Sequence, residues 1–407
     1  MLLLYNLGIR FYYFIALIAS VFNSKAKAWI SGRSAQNVAP LNNSIWFHFA
    51  SLGEFEQGRP VLEAVKVKYP NHPIVVTFFS PSGYEIRKNT PLADAVYYLP
   101  LDTPANARNF IKAINPVAAI FTKYEYWYHY FNQLNQQQVP LYVISAIFRP
   151  GQVFFKWYGS LHRQMLTKVT HLFVQDEDSK QLLNTIGITQ VLVSGDTRFD
   201  RVYENALKPK ALPLIETFKN GRNVLIAGST WPADEELLVD LINQYPDWKF
   251  IIAPHEIPED KVSKLVSMLP ADKSIRFSNI NEPDTQLQGY QILVLDNIGM
   301  LSSLYQYGEI AYIGGGFGIG IHNTLEAAAF GLPVVFGPNY SKFKEARELI
   351  KLQGGFSIND SAQLLSVAGQ LITDENYRIV AGKIAGAFVA QSKGATDLIM
   401  KNIAIKI

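Results

Sequence analysis

Twelve short apolar runs alternate with helix-like segments along the whole chain, and this limits its fold more than any other feature. They lie at 44–49, 74–79, 95–99, 118–121, 141–145, 171–174, 191–194, 223–227, 249–252, 291–294, 310–313 and 333–336. Most are continuous rather than alternating, as expected of strands covered on both faces. Strand–helix alternation predicts parallel βαβ units, so the fold class is α/β. A chain of 407 residues exceeds one ordinary core, and two doubly wound domains facing a cleft are expected. The segment 197–222, with Lys208, Pro209, Lys210 and Pro213, reads as the linker. The expected divisions are 1–22, 23–205 and 215–407, the last helix of the third crossing back to the second.

Composition narrows the chemistry. There is no cysteine, which excludes a disulfide framework, thiol catalysis and Cys-bound zinc. The seven histidines form no H-x-x-x-H pair, and nothing in the sequence requires a metal. A net charge of +3 is too small to argue for nucleic acid but suits an anionic membrane surface. Residues 1–22, MLLLYNLGIRFYYFIALIASVF, carry the single charge Arg10, and Lys25, Lys27 and Arg33 follow. That pattern predicts an uncleaved anchor, spanning or interfacial, with the rest of the chain cytoplasmic.

In open parallel sheets ligands bind beyond the carboxyl ends of the strands, and each motif of interest sits at such an end. The run Ile310-Ala-Tyr-Ile-Gly-Gly-Gly-Phe-Gly-Ile-Gly-Ile-His322-Asn-Thr-Leu-Glu326 joins a strand to a helix through a glycine-rich turn. It reads as a nucleotide or nucleotide-sugar site: amides and the helix N-terminus for phosphate, Glu326 for ribose hydroxyls. Asn323 and Thr324 stand where capping residues belong. The spacing matches neither the dinucleotide fingerprint nor a P-loop. Ser229 and Thr230 end another strand, where either caps a helix or meets phosphate; Pro254 and His255 end a third; Ile298, Gly299 and Met300 follow a fourth. In the first half, Glu54 follows His48-Phe-Ala-Ser-Leu-Gly and suits a general base or plain helix N-terminal charge stabilisation. Glu125 and Arg198 are charged groups near strand ends, which a mutual ion pair would also explain.

Taken in order, the anchor, His48-Phe-Ala-Ser-Leu-Gly-Glu54, Lys123-Tyr-Glu125, Ser145-Ala146, Ser194-Gly195…Arg198-Phe-Asp200, Ala227-Gly-Ser-Thr230, the Gly299 turn and His322-Asn-Thr-Leu-Glu326 resemble the lipid A 3-deoxy-D-manno-octulosonic acid (Kdo) transferase family. The resemblance implies a GT-B fold, with two Rossmann-like domains and the donor nucleotide on the second. It implies transfer of Kdo from CMP-Kdo to a lipid A precursor at the cytoplasmic face of the inner membrane, with no cofactor. By the same resemblance Glu54 is the general base, and Glu125 and Arg198 stabilise the transition state. Pro254, His255, Ile298, Gly299, Met300, Asn323, Thr324, Leu325 and Glu326 then contact CMP. The chain departs from the family pattern in four places, one of them Ser145-Ala-Ile-Phe-Arg149 where Ser-Ala-Arg is usual. Arg198 replaces a usual lysine, Thr324 a usual proline, and Pro254-His255-Glu a usual Pro-Arg-His-Pro. A GT-B enzyme using a UDP-sugar is the alternative.

Overall fold

The computed structural model describes residues 1–280 and 286–405, so the last two residues of the expected third division lie outside the described ones. The chain divides into two compact units, Met1–Arg201 with Lys393–Ile407, and Val202–Ser392.

The first unit is built on seven strands: β1 (Ser44–Phe49), β2 (Ile74–Phe78), β3 (Ala95–Tyr98), β4 (Pro116–Thr122), β5 (Leu141–Ala146), β6 (His171–Val174) and β7 (Val191–Val193). Their order is β3-β2-β1-β4-β5-β6-β7, and every pairing is parallel. Helices cover both faces, so successive residues of one strand serve different cores. Trp46 packs with Phe110, Phe121 and Tyr130 on one side, and Ile45, Phe47 and Phe49 pack with Phe55 and Phe78 on the other. That is why β1 reads as an unbroken apolar run. The C-terminal segment closes the second face with Ile399, Ile403 and Ile405. Asp200 fastens that segment, accepting the Gly394 and Thr396 amides at 2.5 and 2.7 Å.

The second unit contains β8 (Val224–Thr230), β9 (Lys249–Pro254), β10 (Ser274–Arg276), β11 (Ile292–Val294), β12 (Ile310–Ile313), β13 (Val334–Phe336) and β14 (Gly355–Ser357), in the order β10-β11-β9-β8-β12-β13-β14, again parallel. All twelve expected strands are present; β10 and β14 were not expected. The segment read as a linker contains the boundary between the two units and is largely helical, as Thr197–Leu207 and Pro213–Lys219. Pro213 occupies the first turn of its helix, where a missing amide costs nothing.

Each sheet has one point where the chain reverses its direction of growth: between β1 and β4 in the first unit, between β8 and β12 in the second. Crevices at such switch points are where doubly wound sheets hold ligands.

Candidate active site

The first switch point assembles a carboxylate cluster. Glu54 sits in the first turn of the helix Leu52–Lys68, directly after β1, and accepts the Ala50 amide at 2.6 Å. Burial, and then the charge of Glu125, push its carboxyl up to about 7, against the pull of the Ala50 amide and of Lys123. Glu125 follows β4 and accepts from His48 Nε2 at 3.0 Å and from Trp127 Nε1 at 2.9 Å. His48 is fully buried in β1, its Nδ1 2.8 Å from the Thr77 hydroxyl. The two ring nitrogens thus link Thr77 to Glu125. One carboxylate is therefore fixed by two N–H donors, while a second nearby has a pKa close to neutrality.

Arg198, in the second position of its helix, is aimed by Asp196. The carboxylate receives the Arg198 amide at 2.9 Å, Nε at 2.8 Å and an Nη at 2.7 Å, and also Gln57 Nε2 at 2.8 Å. Burial alone would raise the Asp196 carboxyl, but the Arg198 charge and these hydrogen bonds hold it below its ordinary value. Glu125 and Arg198 are thus oriented by His48, Trp127 and Asp196, where the sequence suggested a mutual ion pair.

The second switch point brings Ser229, Thr230, Pro254, His255, Asn323, Thr324, Leu325 and Glu326 to the ends of β8, β9 and β12. The Thr230 hydroxyl donates to Glu235 at 2.9 Å. Trp231, not Ser229 or Thr230, is the N-cap of the helix Pro232–Gln244. The Trp231 indole donates to His322 Nε2 at 3.0 Å, and the His255 ring stacks on His322 at 4.2 Å and on Trp231 at 5.0 Å. Burial, then the neighbouring His255, lower His322 to about 4, so the ring is neutral at physiological pH with its proton on Nδ1.

In the glycine-rich run part of the backbone is engaged by the protein itself. Its amides at Gly314, Gly318, Gly320 and His322 bond to backbone carbonyls, and the Gly315 amide goes to buried Asp234 at 2.9 Å. Asp234 also takes the Tyr312 hydroxyl and the Trp231 amide, tying the β8 and β12 ends together. The glycines permit close chain approach: a Cβ on Gly314 would lie 2.3 Å from the Ser229 carbonyl, and Gly315 holds φ +90°. The helix after the run, Leu325–Ala329, has only five residues. Asn323 Oδ1 accepts the Leu325 amide at 3.1 Å and its Nδ2 donates to Glu326 at 3.0 Å. Among the described residues the buried Thr324 hydroxyl has no hydrogen-bond partner.

Ile298 is 86% exposed, Gly299 has φ +97°, and Met300 Sδ accepts from Asn297 at 2.9 Å. Leu301 and Tyr305, which follow, pack against Gly228, and the Glu326 charge adds to the burial that raises the Tyr305 hydroxyl. This joins the 298–300 segment to the β8 and β12 ends.

Lys123, Ser145 and Ser229 have left-handed φ of 64°, 51° and 55° at the ends of β4, β5 and β8. Such conformations cost non-glycine residues about 1–3 kcal/mol and cluster at functional sites. Sequence reasoning gave no role to His48, Trp127, Asp196, Trp231, Asp234 or His322. His48 carried a usable signal, being a titratable residue inside an apolar strand. Among the described residues no group of three or more His, Asp or Glu side chains is arranged to hold a metal ion.

A profile of the family described as "3-Deoxy-D-manno-octulosonic-acid transferase (kdotransferase)" matches residues 24–201. The 3-deoxy-D-manno-octulosonic acid transferase of Haemophilus influenzae is 28% identical over 375 residues, 89% of this chain and 86% of that one. The Aquifex aeolicus transferase of the same description is 28% identical over 362 residues, 85% and 93% of the two chains. The UDP-GlcNAc 2-epimerase of Neisseria meningitidis, solved with UDP-GlcNAc, superposes with a TM-score of 0.63 over 88% of this chain and 98% of its own, at 15% identity, and so shares the fold alone. With two Rossmann-like units of the GT-B type, a family profile over residues 24–201 and relatives such as these along most of its length, the chain is similar to the 3-deoxy-D-manno-octulosonic-acid transferases.

Proposed function

We propose that the protein transfers Kdo from CMP-Kdo to a lipid A precursor, as a metal-independent inverting glycosyltransferase at the cytoplasmic face of the inner membrane. The observation that carries the catalytic reading is Glu54, a half-buried carboxyl at the first switch point whose pKa is pushed up to about 7. A base poised near the working pH accepts a hydroxyl proton and later releases it without a large penalty. Glu54 deprotonates the acceptor hydroxyl as its oxygen attacks the anomeric carbon, and CMP leaves. One such displacement inverts that centre.

The transition state carries oxocarbenium character. Glu125, held by His48 and Trp127, supplies fixed negative charge beside it, and Arg198, oriented by Asp196, meets the donor's carboxylate. Preorganised charges of this kind need not reorient as the barrier is crossed. On the second unit the neutral His255–His322 pair, Ser229, Thr230, Pro254, the 298–300 turn and Asn323 to Glu326 receive CMP, with Glu326 on the ribose. CMP has a single phosphate, so the leaving charge needs no divalent ion. The apolar N-terminal helix is the membrane anchor.

The test supplies a lipid A precursor with CMP-Kdo generated in place, in detergent with EDTA. Transfer with inverted anomeric configuration supports the reading. No product from active CMP-Kdo overturns it and directs the search to UDP-sugars; product only without EDTA overturns metal independence.

A further inference from the structure

We propose that the helix Leu2–Ala19 lies along the surface of an anionic bilayer as a wall of the first unit, instead of crossing the membrane. The proposal rests on the anchor reading above and concerns how that anchor is placed. At 1.5 Å per residue this helix is about 27 Å long, enough to cross a hydrocarbon core. What decides against crossing is its attachment to the body.

One stripe of the helix is bonded to the protein over much of its length. The Tyr5 hydroxyl donates to Asp102 at 2.5 Å and accepts the Tyr128 amide at 3.3 Å. Asn6 Oδ1 lies 2.6 Å from His129 Nε2. Two turns on, Tyr12 packs edge-on against Trp29 at 5.6 Å and against Phe79 at 6.2 Å. Ile9, Ala16 and Ala19 are half-buried on the same stripe. Steps of four and three residues from Tyr5 through Ile9, Tyr12 and Ala16 to Ala19 trace one helical face. In a crossing orientation Asp102 and His129 would be carried into the bilayer with it, where polar and ionisable groups are costly to bury.

The opposite face is wholly apolar and exposed: Leu3, Leu4, Leu7, Phe11, Phe14, Ile15 and Ile18, continued by Val21 and Phe22, with Leu3 80% and Phe22 87% accessible. A contiguous patch of that kind marks an interaction surface. Its charge setting selects the partner. Residues 1–53 contain Arg10, Lys25, Lys27 and Arg33 and not one Asp or Glu, which suits an anionic lipid leaflet. Arg10 projects from the flank between the two faces, the place from which a long cation reaches headgroups. A second outcrop adjoins the same part of the body. Trp157, 90% exposed, and Tyr158 follow Phe154, whose ring meets Tyr126 at 5.0 Å; Tyr128, on the other side of that segment, meets Tyr5 at 6.0 Å. Residues 126–128 thus run between the two exposed apolar elements.

Because the chain has no cysteine, single-cysteine variants at Leu3, Leu7, Phe11, Phe14 and Ile18 can each carry an environment-sensitive fluorophore. The full-length protein is bound to phosphatidylcholine–phosphatidylglycerol vesicles, and depth is read with quenchers set along the acyl chain. The in-plane placement gives the same shallow depth at all five positions. A crossing helix gives depth changing by about 1.5 Å per residue, deepest near Phe11, with Leu3 reachable only from the far side; that profile overturns the proposal while leaving the anchor intact. Failure to bind vesicles, or self-association burying the same positions without lipid, overturns the anchor reading itself. As a control on the face, Leu7→Glu with Phe11→Glu lowers vesicle affinity by at least about tenfold and leaves transfer to a short-chain, water-soluble acceptor unchanged.

Discussion

Replacing Glu54 by Gln should abolish most activity and at the same time stabilise the protein, with the second effect appearing only at high pH. The folded protein raises this carboxyl from 4.5 to about 7, through burial and through the Glu125 charge. A carboxyl raised on folding binds its proton more tightly in the native state, so its contribution to stability is greatest below about 4.5 and is lost as pH rises through about 7. Each tenfold change in proton affinity is worth about 1.4 kcal/mol, so keeping Glu54 ionised at pH 8 costs on the order of 3 kcal/mol. Glutamine keeps an oxygen for the Ala50 amide and carries no charge to desolvate. Native-state hydrogen exchange of peptides covering β1 and the helix Leu52–Lys68 should show the variant more stable by about 2–3 kcal/mol at pH 8 and nearly equal to wild type at pH 4.5. The rate constant kcat/KM of the wild type should rise tenfold per pH unit up to about 7 and then level off. The variant should lose about 10²–10⁴ of it. A rate profile levelling off near 4.5, or a stability difference independent of pH, would refute the assignment of a buried, electrostatically raised base.

Two further substitutions separate the units. Glu326→Ala removes the partner of Asn323 and the proposed ribose contact; CMP affinity measured by calorimetry should weaken about tenfold, near 1.4 kcal/mol, and unchanged affinity would sink that role. Asp196→Asn leaves Arg198 without the carboxylate that holds three of its N–H groups, so kcat should fall by more than about tenfold while CMP affinity stays the same. Because Asp196 is held below its ordinary 3.8, the stability it contributes is present above that pH and disappears as pH falls through the folded value. The variant's deficit at neutral pH should therefore close under strong acid, and a deficit that persists there would mean lost packing rather than a lost charge.

The strands were readable because a parallel strand covered on both faces must be apolar at every position, a pattern visible without knowing its neighbours. The two that escaped, Ser274–Arg276 and Gly355–Ser357, are edge strands, and nearly all their positions are only half-buried. The positions singled out were legible for a related reason: strand ends in such sheets are where chemistry is placed, so Glu54, Glu125, Arg198, His255 and Glu326 stood out there as polar groups, while their roles came from the family resemblance alone.

Their orientation was not legible. His48 reaches Glu125 across 77 residues, Gln57 reaches Asp196 across 139, and Trp231 reaches His322 across 91. No local periodicity encodes a pairing of that length. The glycine-rich run shows how much a local reading leaves open. Its composition fits a loop that offers amides to phosphate, yet the amides at Gly314, Gly315, Gly318 and Gly320 are spent on the protein's own carbonyls and on Asp234. Glycine is needed where backbones cross at close range, and a phosphate is only one of the things that can approach so closely. The loop also places the residues it ends on: a neutral His322 locked by Trp231, and Asn323 holding Glu326. A side chain at Gly314 or Gly315 would collide with the Ser229 or Gly320 carbonyl, so such substitutions should displace His322 and with it the proposed donor contacts.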